Sequence, residues 1–503
     1  MRNSKGEGTD RTQVLVIGGG PSGSTLSTLL ARQGYDVLLL EREAFPRFHV
    51  GESLIPSTQA IWERLGIAEA LQHQGHVFKY AGEFRVGHHA KSSGYDSTIA
   101  YFNNVPPSHR KSRPFAYQVV RSEFDHFLLK HARAQGVRVY EKAVVKKLDW
   151  HGDRIAGALW KDAEGREHFT QAEVVADCSG RHAFIARQRK LLEPDPLIQT
   201  SSVFGHFRGV TRDPGIRQGY FNGYFIENGW VWFIPLRDDI MSVGVVMNKP
   251  GTDWWRTTKP EDILKTYINR YRYLRDRFEG AEQSSRVRIL RGLPYRSTRV
   301  TGDGWILAGD AGFFVDPLYS SGVEIAFHSA ELAADAVANH LAGGRDRGAF
   351  DRYAQWAKGY ADHVFTHMGI IYRLLKSKRA IKLAVNLTGK YANNWDTPIL
   401  RRVNAFSTGH FDDFHATLYL VWPHLLAMGL GGRILDRLLP SGGWEKEGDF
   451  CTEAPLEIPK SKDFPYEYHA SPQSAAAELN ASDWWVIPSE TPLDTASSHS
   501  TLN

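Results

Sequence analysis

The segment Gln13-Val-Leu-Val-Ile-Gly-Gly-Gly-Pro-Ser-Gly23 carries the clearest structural signal in the chain. Its first five residues form a short apolar run rich in β-branched side chains, which is typical of a buried parallel strand. The pattern G-x-G-x-x-G follows at once, and residues 24–33 then predict a helix that ends at Gly34. A second apolar run, residues 36–40, predicts another buried strand, and Glu41 comes directly after it. This order predicts a dinucleotide-binding βαβ unit.

Each part of this motif has a separate physical role. Gly18 permits the tight turn, Gly20 lets a pyrophosphate approach the backbone, and Gly23 allows the helix to pack closely on the strand. The start of the helix carries partial positive charge toward the phosphates, and Glu41 is placed to accept hydrogen bonds from a ribose. These residues predict a site for FAD or NAD(P) without deciding between the two. The predicted contacts are Gly18, Gly20, Pro21, Ser22, Gly23, Glu41 and Arg42.

Three later segments bear on the same cofactor. Residues 174–180 predict another buried strand, and residues 304–312 predict a strand that leads into a helix start. Asp310 follows Gly309 at that turn, where an acid can bind a ribityl or ribose hydroxyl of an extended cofactor. Arg121 is open to two interpretations, since it either complements phosphate charge or is a solvated arginine at a helix start.

Composition excludes several classes of protein. The formal charge of +5 is small for 503 residues and the charges are interspersed, so we expect no nucleic-acid partner. Two cysteines cannot build a disulfide framework or a multi-thiolate metal site, and we expect no metal. Residues 1–10 are polar, and the apolar stretch 418–430 is interrupted and too short to span a bilayer. We therefore expect a cytoplasmic protein without a transmembrane segment.

The motifs together resemble a known group of enzymes. The glycine loop, Glu41, residues 45–53, the Arg121 segment, residues 177–180 and Gly309-Asp310 resemble the FAD modules of aromatic hydroxylases and related flavoproteins. Within that group, Gly229-Trp-Val-Trp-Phe-Ile-Pro235 matches the W-x-W-x-I-P signature of flavin-dependent halogenases. Lys79 falls where that family carries its active-site lysine. The resemblance covers roughly residues 12–380 and is far more specific than the glycine motif alone.

The two tryptophans of the signature are spaced for one face of a strand. Trp230 and Trp232 are two residues apart, so on a strand both indoles face the same side, and Pro235 ends the strand by removing a ladder donor. From the residues alone, ordinary core packing is the favoured interpretation. The resemblance implies instead a wall that keeps an organic substrate away from the flavin and so prevents direct hydroxylation. The wall residues are Trp230, Trp232, Ile234 and Pro235.

Lys79 lies within an aromatic run, after the strand-like Val77-Phe78 and before Tyr80. Taken alone, that pattern favours a lysine whose amine extends to solvent. The resemblance implies a desolvated lysine with a lowered pKa, which acts as a nucleophile or a hydrogen-bond donor. We therefore interpret Lys79 as the catalytic residue.

The resemblance also implies a halide site and a reaction. Reduced FAD and oxygen convert chloride or bromide into hypohalous acid, which travels through the interior to Lys79 and halogenates an electron-rich ring there. Halide binding needs small residues with available backbone N–H groups beside the flavin. Residues 316–322 match the segment that supplies them, and Ser321 and Gly322 are the halide candidates. The alternative interpretation of residues 320–322 is a glycine-containing helix start near the cofactor that binds no halide.

One departure from the family pattern bears on the substrate. Tryptophan halogenases carry a glutamate at the position of Tyr319, so the pattern resembles instead halogenases of phenols or pyrroles, free or tethered to a carrier protein. For Tyr319 itself, packing is favoured over a proton relay. Since no separate NAD(P) motif is found, a partner flavin reductase is expected to supply the reduced flavin. A single-component aromatic hydroxylase and a non-catalytic flavoprotein are the other functions considered.

The predicted fold class is α/β, with an FAD-binding Rossmann-like domain of the aromatic-hydroxylase type. We assign residues 12–180 and 296–345 to this domain, with inserted strands around Lys79. Residues 181–295 are predicted to form a mainly antiparallel sheet that covers the flavin and substrate. Residues 346–442 predict a helical lid, and residues 443–503 an irregular strap or tail. A basic stretch, residues 376–382, is either a carrier-protein docking site or a solvated helix face.

Overall fold

The computed structural model describes residues 10–86, 97–102, 113–249, 251–343 and 348–392. The first elements of the chain form the predicted βαβ unit. Strand β1 (Asp10–Ile17) leads through the glycine loop into helix α1 (Pro21–Ala31), and strand β2 (Val37–Leu40) follows. The helix begins three residues before the predicted start at Ser24. Proline is favoured in the first helical turn because its missing N–H would have no partner there.

The remaining described elements include runs of consecutive strands, and the last three α-helices follow one another. The further helices are α2 Thr58–Leu65, α3 Ala68–Gln72, α4 Arg121–Ala134, α5 Phe184–Gln188, α6 Pro260–Arg270, α7 Arg272–Arg277, α8 Gly322–Leu341, α9 Ala349–Leu374 and α10 Lys378–Ala392. The further strands are β3 Val77–Lys79, β4 Ala81–Val86, β5 Ser97–Tyr101, β6 Ala116–Gln118, β7 Arg138–Tyr140, β8 Val144–His151, β9 Arg154–Lys161, β10 Glu167–Asp177, β11 Leu192–Pro194, β12 Thr200–Arg208, β13 Phe221–Ile226, β14 Gly229–Pro235, β15 Ile240–Asn248, β16 Glu282–Gln283, β17 Arg288–Arg291, β18 Tyr295–Ser297, β19 Thr301–Gly302, β20 Trp305–Leu307 and β21 Phe313–Phe314.

The first sheet has the strand order β19-β20-β10-β1-β2-β7, and the β8–β9 hairpin adds to β10. The strands from β20 to β7 are parallel, and Leu307, Asp177, Ile17 and Leu40 are in register at their carboxyl ends. Helix α1 packs against α4 and α8 on this sheet. Because ligands of open α/β sheets bind outside the carboxyl ends of the strands, this register places the site at that edge.

The segment after β20 differs from the prediction of a helix start. Residues Gly309–Ala311 form a 3-10 turn, and the next α-helix, α8, begins only at Gly322. Gly309 adopts φ +63°, which glycine accommodates without strain, and its N–H donates to Ser329 Oγ of α8 at 2.7 Å. The turn is therefore held by α8, and it still places Asp310 at the carboxyl edge of the sheet.

The second sheet confirms the antiparallel prediction and adds two strands to it. Its order is β16-β12-β15-β14-β13-β4-β5, with β17 also paired to β12. All of these pairs are antiparallel except β13 with β4, which is parallel. Strands β4 and β5 come from the N-terminal part of the chain, immediately after Lys79. Lys79 itself lies in β3, which pairs with β6 in a separate two-stranded sheet.

The second sheet is buried on both faces. Trp230 and Trp232 of β14 belong to the large core that includes the first sheet. Val231 and Phe233 on the opposite face belong to a second core, formed with residues of α6 and α7. The alternation along β14 therefore aims the tryptophans at the FAD-type domain, and the strand ends at Pro235 as predicted.

The predicted helical region is present as far as the structure describes it. Helices α9 and α10 cover residues 349–392, with a short break between them. Lys378, Arg379 and Lys382 of the basic stretch are half-buried, so that part of α10 is not a fully solvated face. Predictions for residues 393–442 and for the tail 443–503 lie outside the described residues. In the part of the chain that the structure describes, no helix is long and apolar enough to cross a membrane.

Candidate active site

A cavity of about 620 Å³ opens at the carboxyl edge of the first sheet and reaches the second sheet. Its lining brings together most of the predicted site residues, from segments that are as much as about 300 residues apart in the chain. These are Gly18, Gly20, Pro21, Ser22, Glu41, Arg42, Arg121, Trp230, Trp232, Ile234, Asp310, Ser321 and Gly322. The predicted residues Gly23, Gly309 and Pro235 lie behind this lining, and Lys79 lies in an adjoining cavity.

The three glycines of the loop have different constraints. Gly18 adopts φ +103°, and a Cβ there would collide with the carbonyl oxygen of Cys178. A Cβ on Gly23 would collide with the carbonyl oxygen of Gly18. Gly20 instead faces the cavity, and the nearest atom to its ideal Cβ is Arg47 Nη2 at 3.5 Å. Gly18 and Gly23 therefore shape the loop, while Gly20 keeps open a cradle that fits a pyrophosphate against the start of α1.

Replacing Gly20 is expected to separate cofactor binding from folding. Gly20→Val leaves the apoprotein folded, because its added carbons enter the cavity, and weakens FAD affinity about tenfold to a hundredfold, in line with overpacking costs. Fluorescence titration of FAD measures the affinity, and thermal unfolding of the apoprotein measures the fold. Gly359→Val on the exposed face of α9 is the control, since a Cβ there meets no described atom within 4 Å. Unchanged FAD affinity in Gly20→Val would overturn the cradle.

Glu41 is held at the end of β2 by the backbone of the glycine loop. Its Oε2 accepts a hydrogen bond from the Gly19 N–H at 2.7 Å, and its Oε1 accepts one from the Glu43 N–H at 2.8 Å. Each carboxylate oxygen has a further lone pair, so the group can still accept a ribose hydroxyl in the cavity. Arg42 lies at the rim with 57% of its side chain exposed.

The charge beside the glycine loop comes from two arginines that share one aspartate. Arg121 is buried, donates from Nε and Nη2 to Asp125 at 2.7 and 3.0 Å, and donates from Nη1 to the Val50 and Gly51 carbonyls. The solvated interpretation of Arg121 is therefore wrong. Arg47 also pairs with Asp125, at 3.2 Å, and lies beside Gly20. Two arginines and one aspartate leave a net charge of one positive unit in this group, next to the cradle. Sequence analysis did not identify Arg47, although it lies in the segment 45–53 that carries the resemblance.

Asp310 lies in the turn that α8 holds beside α1. An ideal Cβ on Gly309 would lie 3.2 Å from the Ser22 Cβ, so this turn contacts the start of α1. Burial raises the pKa of the Asp310 carboxyl to about 6. The carboxyl lines the cavity between the glycine loop and the tryptophans, where it can accept a hydrogen bond from a cofactor hydroxyl.

The two tryptophans form one continuous surface of the cavity. The ring centroids of Trp230 and Trp232 lie 5.8 Å apart, and Phe221 and Phe204 flank them at 6.3 and 5.8 Å. The Trp232 Nε1–H donates to Ser242 Oγ of β15 at 3.2 Å. Core packing alone therefore does not describe these indoles, because the same side chains that join the core also line the cavity.

Lys79 is buried, contrary to the expectation from its local sequence. Only 3% of the residue is exposed, and its Nζ donates to the Leu54 carbonyl at 2.9 Å and lies 3.5 Å from Ser320 Oγ. The rings of Phe102 and Phe221 lie 5.3 and 5.6 Å from Nζ. Burial lowers the pKa of the Lys79 amine to about 7. A large share of this amine is therefore neutral and nucleophilic at neutral pH.

Lys79 lines a small second cavity of about 10 Å³. Phe221 and Ser320 line both this cavity and the large one, so they form the boundary between the two. Tyr319 also lines the small cavity, and its hydroxyl lies 3.1 Å from Nε2 of the buried His367. That contact adds a polar partner to the packing role predicted for Tyr319.

The predicted halide segment lies where the two cavities meet. Ser320 adopts φ +59°, Ser321 follows as the residue before α8, and Gly322 begins the helix. The first N–H groups of an α-helix have no partner within the helix and carry partial positive charge. Ser321 and Gly322 line the large cavity, so their backbone can face an anion there.

Comparison with known proteins places this architecture in a family. The FAD binding domain model matches residues 11–367. Tryptophan 2-halogenase of Chondromyces crocatus is 35% identical over 357 residues, which cover 68% of this chain and 64% of that protein, less than two thirds of its length. The 1H-pyrrole-2-carbonyl-(peptidyl-carrier protein) brominase of Pseudoalteromonas luteoviolacea is 32% identical over 351 residues, which cover 69% of this chain and 82% of that protein.

A solved structure agrees with these relatives. The myxobacterial chondrochloren halogenase, described as a new variant of FAD-dependent halogenases, is 28% identical and superposes with a TM-score of 0.67. The match covers 80% of this chain and 97% of that one. The α/β fold, the FAD-binding domain and the resemblance drawn from the W-x-W-x-I-P motif are thus confirmed. The chain therefore belongs to the FAD binding domain family and, within it, to the flavin-dependent halogenases.

Proposed function

We propose that this protein is an FADH2-dependent halogenase that forms hypohalous acid at the flavin and halogenates an electron-rich aromatic ring through Lys79. The observation that carries the proposal is the burial of the Lys79 amine in a small aromatic cavity that shares Phe221 and Ser320 with the large cavity. An amine there is shielded from solvent and lies next to the compartment in which an oxidant would form.

The residues of the large cavity fit FAD. Gly20 and Arg47 would hold the pyrophosphate, Glu41 would accept a hydrogen bond from a ribose hydroxyl, and Asp310 would accept one from a hydroxyl of the ribityl chain. When bound and reduced, FAD supplies the reaction with oxygen that converts a halide into hypohalous acid. We propose that a separate flavin reductase provides the reduced cofactor.

Ser321 and Gly322 are the proposed halide ligands. Their place before and at the start of α8 supports a site for chloride or bromide, since backbone N–H groups and the helix terminus both favour an anion. One relative is named a brominase and another a chlorinase, so we propose both bromide and chloride as substrates.

Lys79 can act on hypohalous acid in two ways. In the first, the neutral amine attacks the halogen and gives a haloamine and water, and the haloamine then transfers the halogen to the ring while the ring proton returns to nitrogen. In the second, the protonated amine gives its proton to the oxygen of hypohalous acid, which leaves as water when the ring carbon takes the halogen, and the ring proton then returns to the amine. A pKa of about 7 populates both forms of Lys79 at neutral pH.

The tryptophan surface disfavours the alternative function, a single-component aromatic hydroxylase. Hydroxylation at a flavin needs the organic substrate beside the isoalloxazine. Trp230 and Trp232 fill the wall of the large cavity on the side of the second sheet, and Lys79 lies in the other compartment. A non-catalytic flavoprotein would gain nothing from burying the Lys79 amine, which has no ion-pair partner among the described residues and whose charged form is costly to bury.

Tyr319 in place of a glutamate favours phenol or pyrrole substrates, free or bound to a carrier protein. Such rings are already activated and need less help from a carboxylate. Relatives named for a carrier-bound pyrrole support this class, whereas the tryptophan 2-halogenase is a relative named for an indole substrate. We therefore propose the pyrrole and phenol class first.

A substrate panel tests the proposal. The purified chain is incubated with FAD, NADH, a flavin reductase, and chloride or bromide, and with phenols, pyrroles, tryptophan and pyrrolyl thioesters of a carrier protein. We expect a halogenated product from a phenol or a pyrrole compound, formed only with oxygen and halide. Halogenation of tryptophan alone would overturn the substrate class, and turnover without halogenation across the whole panel would overturn the function.

A further inference from the structure

The hydroxyl of Tyr372 joins two parts of the site that are distant in sequence. It accepts a hydrogen bond from Trp230 Nε1–H at 3.1 Å and donates one to Asp316 Oδ2 at 2.9 Å. Tyr372 lies near the end of α9, and all three side chains are buried. Because a buried hydroxyl with two partners is strongly fixed, this bridge sets the distance between the other two groups.

The Asp316 end of the bridge anchors the halide segment. Asp316 Oδ1 accepts a hydrogen bond from the Leu318 N–H at 3.0 Å, which holds the 3-10 turn Pro317–Tyr319. That turn passes directly to Ser320, which has φ +59°, and then to Ser321. The direction of the backbone N–H groups at Ser321 and Gly322 therefore depends on the placement of Asp316.

The Trp230 end of the bridge anchors the tryptophan surface. Trp230 packs beside Phe221, which together with Ser320 lines both cavities. Trp230 and Asp316 both line the large cavity, whereas Tyr372 is not among the described residues that line it. Tyr372 therefore acts on a ligand in this cavity only indirectly, and Trp230 and Asp316 are the cavity-lining residues to which it is hydrogen-bonded.

We propose that Tyr372 is a positioning residue that locks the tryptophan surface to the halide segment and so presets the halide-binding backbone at Ser321 and Gly322. This inference rests on the proposed halogenase function. It assigns no chemical step to Tyr372. It predicts instead that halide affinity depends on the hydroxyl. Without it, Asp316 Oδ2 loses the 2.9 Å hydrogen bond from Tyr372 and keeps the 3.5 Å one from Thr200 Oγ1, so the carboxylate that holds the turn is less firmly placed.

Tyr372→Phe tests the proposal, with Ser242→Ala as the matched control. Each change removes one hydroxyl that accepts from a wall indole, but only Tyr372 is joined to Asp316. We expect the dissociation constant of bromide from the oxidised, FAD-loaded protein to rise about tenfold in Tyr372→Phe, the effect of one buried hydrogen bond. In Ser242→Ala it should stay as in the wild type. The flavin absorbance change on bromide titration measures binding, and the KM for bromide in turnover is the second readout.

Further measurements separate positioning from a general loss of structure. We expect the KM for bromide to rise in Tyr372→Phe while the KM for the aromatic substrate and the affinity for FAD stay unchanged. Thermal unfolding shows whether the variant folds, and Trp230→Phe supplies a second test from the other end of the bridge, with bromide affinity expected to fall again.

Three results would overturn the inference. The first is wild-type bromide affinity in folded Tyr372→Phe, and the second is an equal loss of bromide affinity in Ser242→Ala. The third is tighter bromide binding in Tyr372→Phe, which would mean that the hydroxyl changes the charge of Asp316 and does not set its position. A wild-type protein that neither binds bromide nor brominates any substrate would instead defeat the proposed function, and the inference with it.

Discussion

Lys79→Met is expected to bind FAD and form hypohalous acid like the wild type, and to lower ring halogenation roughly a thousandfold, the range of a lost catalytic acid, base or nucleophile. Methionine keeps the length and apolar stem of lysine but has no amine to accept or orient the halogen. The cradle at Gly20 and the backbone at Ser321 and Gly322 are expected to remain intact, because Lys79 does not line the large cavity and its contact with the halide segment is a 3.5 Å side-chain contact with Ser320 Oγ.

Two quantities measured in one reaction check this expectation. Mass spectrometry measures the halogenated product, and a chemical trap for hypohalous acid measures the oxidant that escapes. Lys358→Met is the control, since Lys358 lies on the surface of α9 with 79% of its side chain exposed. A Lys79→Met enzyme with wild-type halogenation would remove Lys79 from the mechanism, and loss of oxidant formation would place Lys79 at the flavin reaction instead.

The same substitution is expected to stabilise the protein below neutral pH. The pKa of Lys79 falls from 10.5 to about 7 on folding, because burial penalises the charged amine. At about 1.4 kcal/mol per pKa unit this corresponds to a cost of roughly 5 kcal/mol for the charged form. The hydrogen bond to the Leu54 carbonyl offsets about 1 kcal/mol when the lysine is present. Lys79→Met should therefore raise the free energy of unfolding by about 3 to 4 kcal/mol at pH 6.

The pH dependence has a defined sign. Between pH 7 and 10.5 the unfolded state binds the proton that the folded state has released, so the stability of the wild type rises with pH across this window. The advantage of Lys79→Met is largest below pH 7 and disappears as the pH approaches 10.5. Urea unfolding at several pH values measures this difference in the free energy of unfolding. In the control Lys358→Met the difference from the wild type is expected to be near zero at every pH. A constant difference across the window would contradict a buried, titrating Lys79.

Local sequence patterns predicted the cofactor domain because backbone sterics determine it. Gly18 and Gly23 have no room for a Cβ, and the acid at Glu41 follows the strand that pairs with β1. The spacing of Trp230 and Trp232 likewise fixes their common face through the two-residue period of a strand. Such features depend on residues close together in the chain, so they can be predicted from the local sequence.

Other features depend on contacts between distant segments and were not predictable in this way. Lys79 is buried because Phe102, Phe221 and Ser320 close around it, and its own neighbours suggest the opposite. Arg47 gains its place beside Gly20 through the tertiary pairing with Asp125. The resemblance to halogenases indicated the role that we propose for Lys79, but no pattern in the sequence indicated the place of Arg47 beside Gly20 or the bridge through Tyr372.

The identity of the atom added to the ring tests the central claim most directly. The wild type is supplied with FAD, NADH, a flavin reductase, bromide, isotopically labelled oxygen and a phenol or carrier-bound pyrrole. Mass spectrometry then measures the mass and isotope pattern of the product. The separation of the two cavities predicts a product with the paired isotope lines of bromine and without labelled oxygen. A product that carries labelled oxygen and no bromine would contradict it, since the substrate would then have reached the flavin itself.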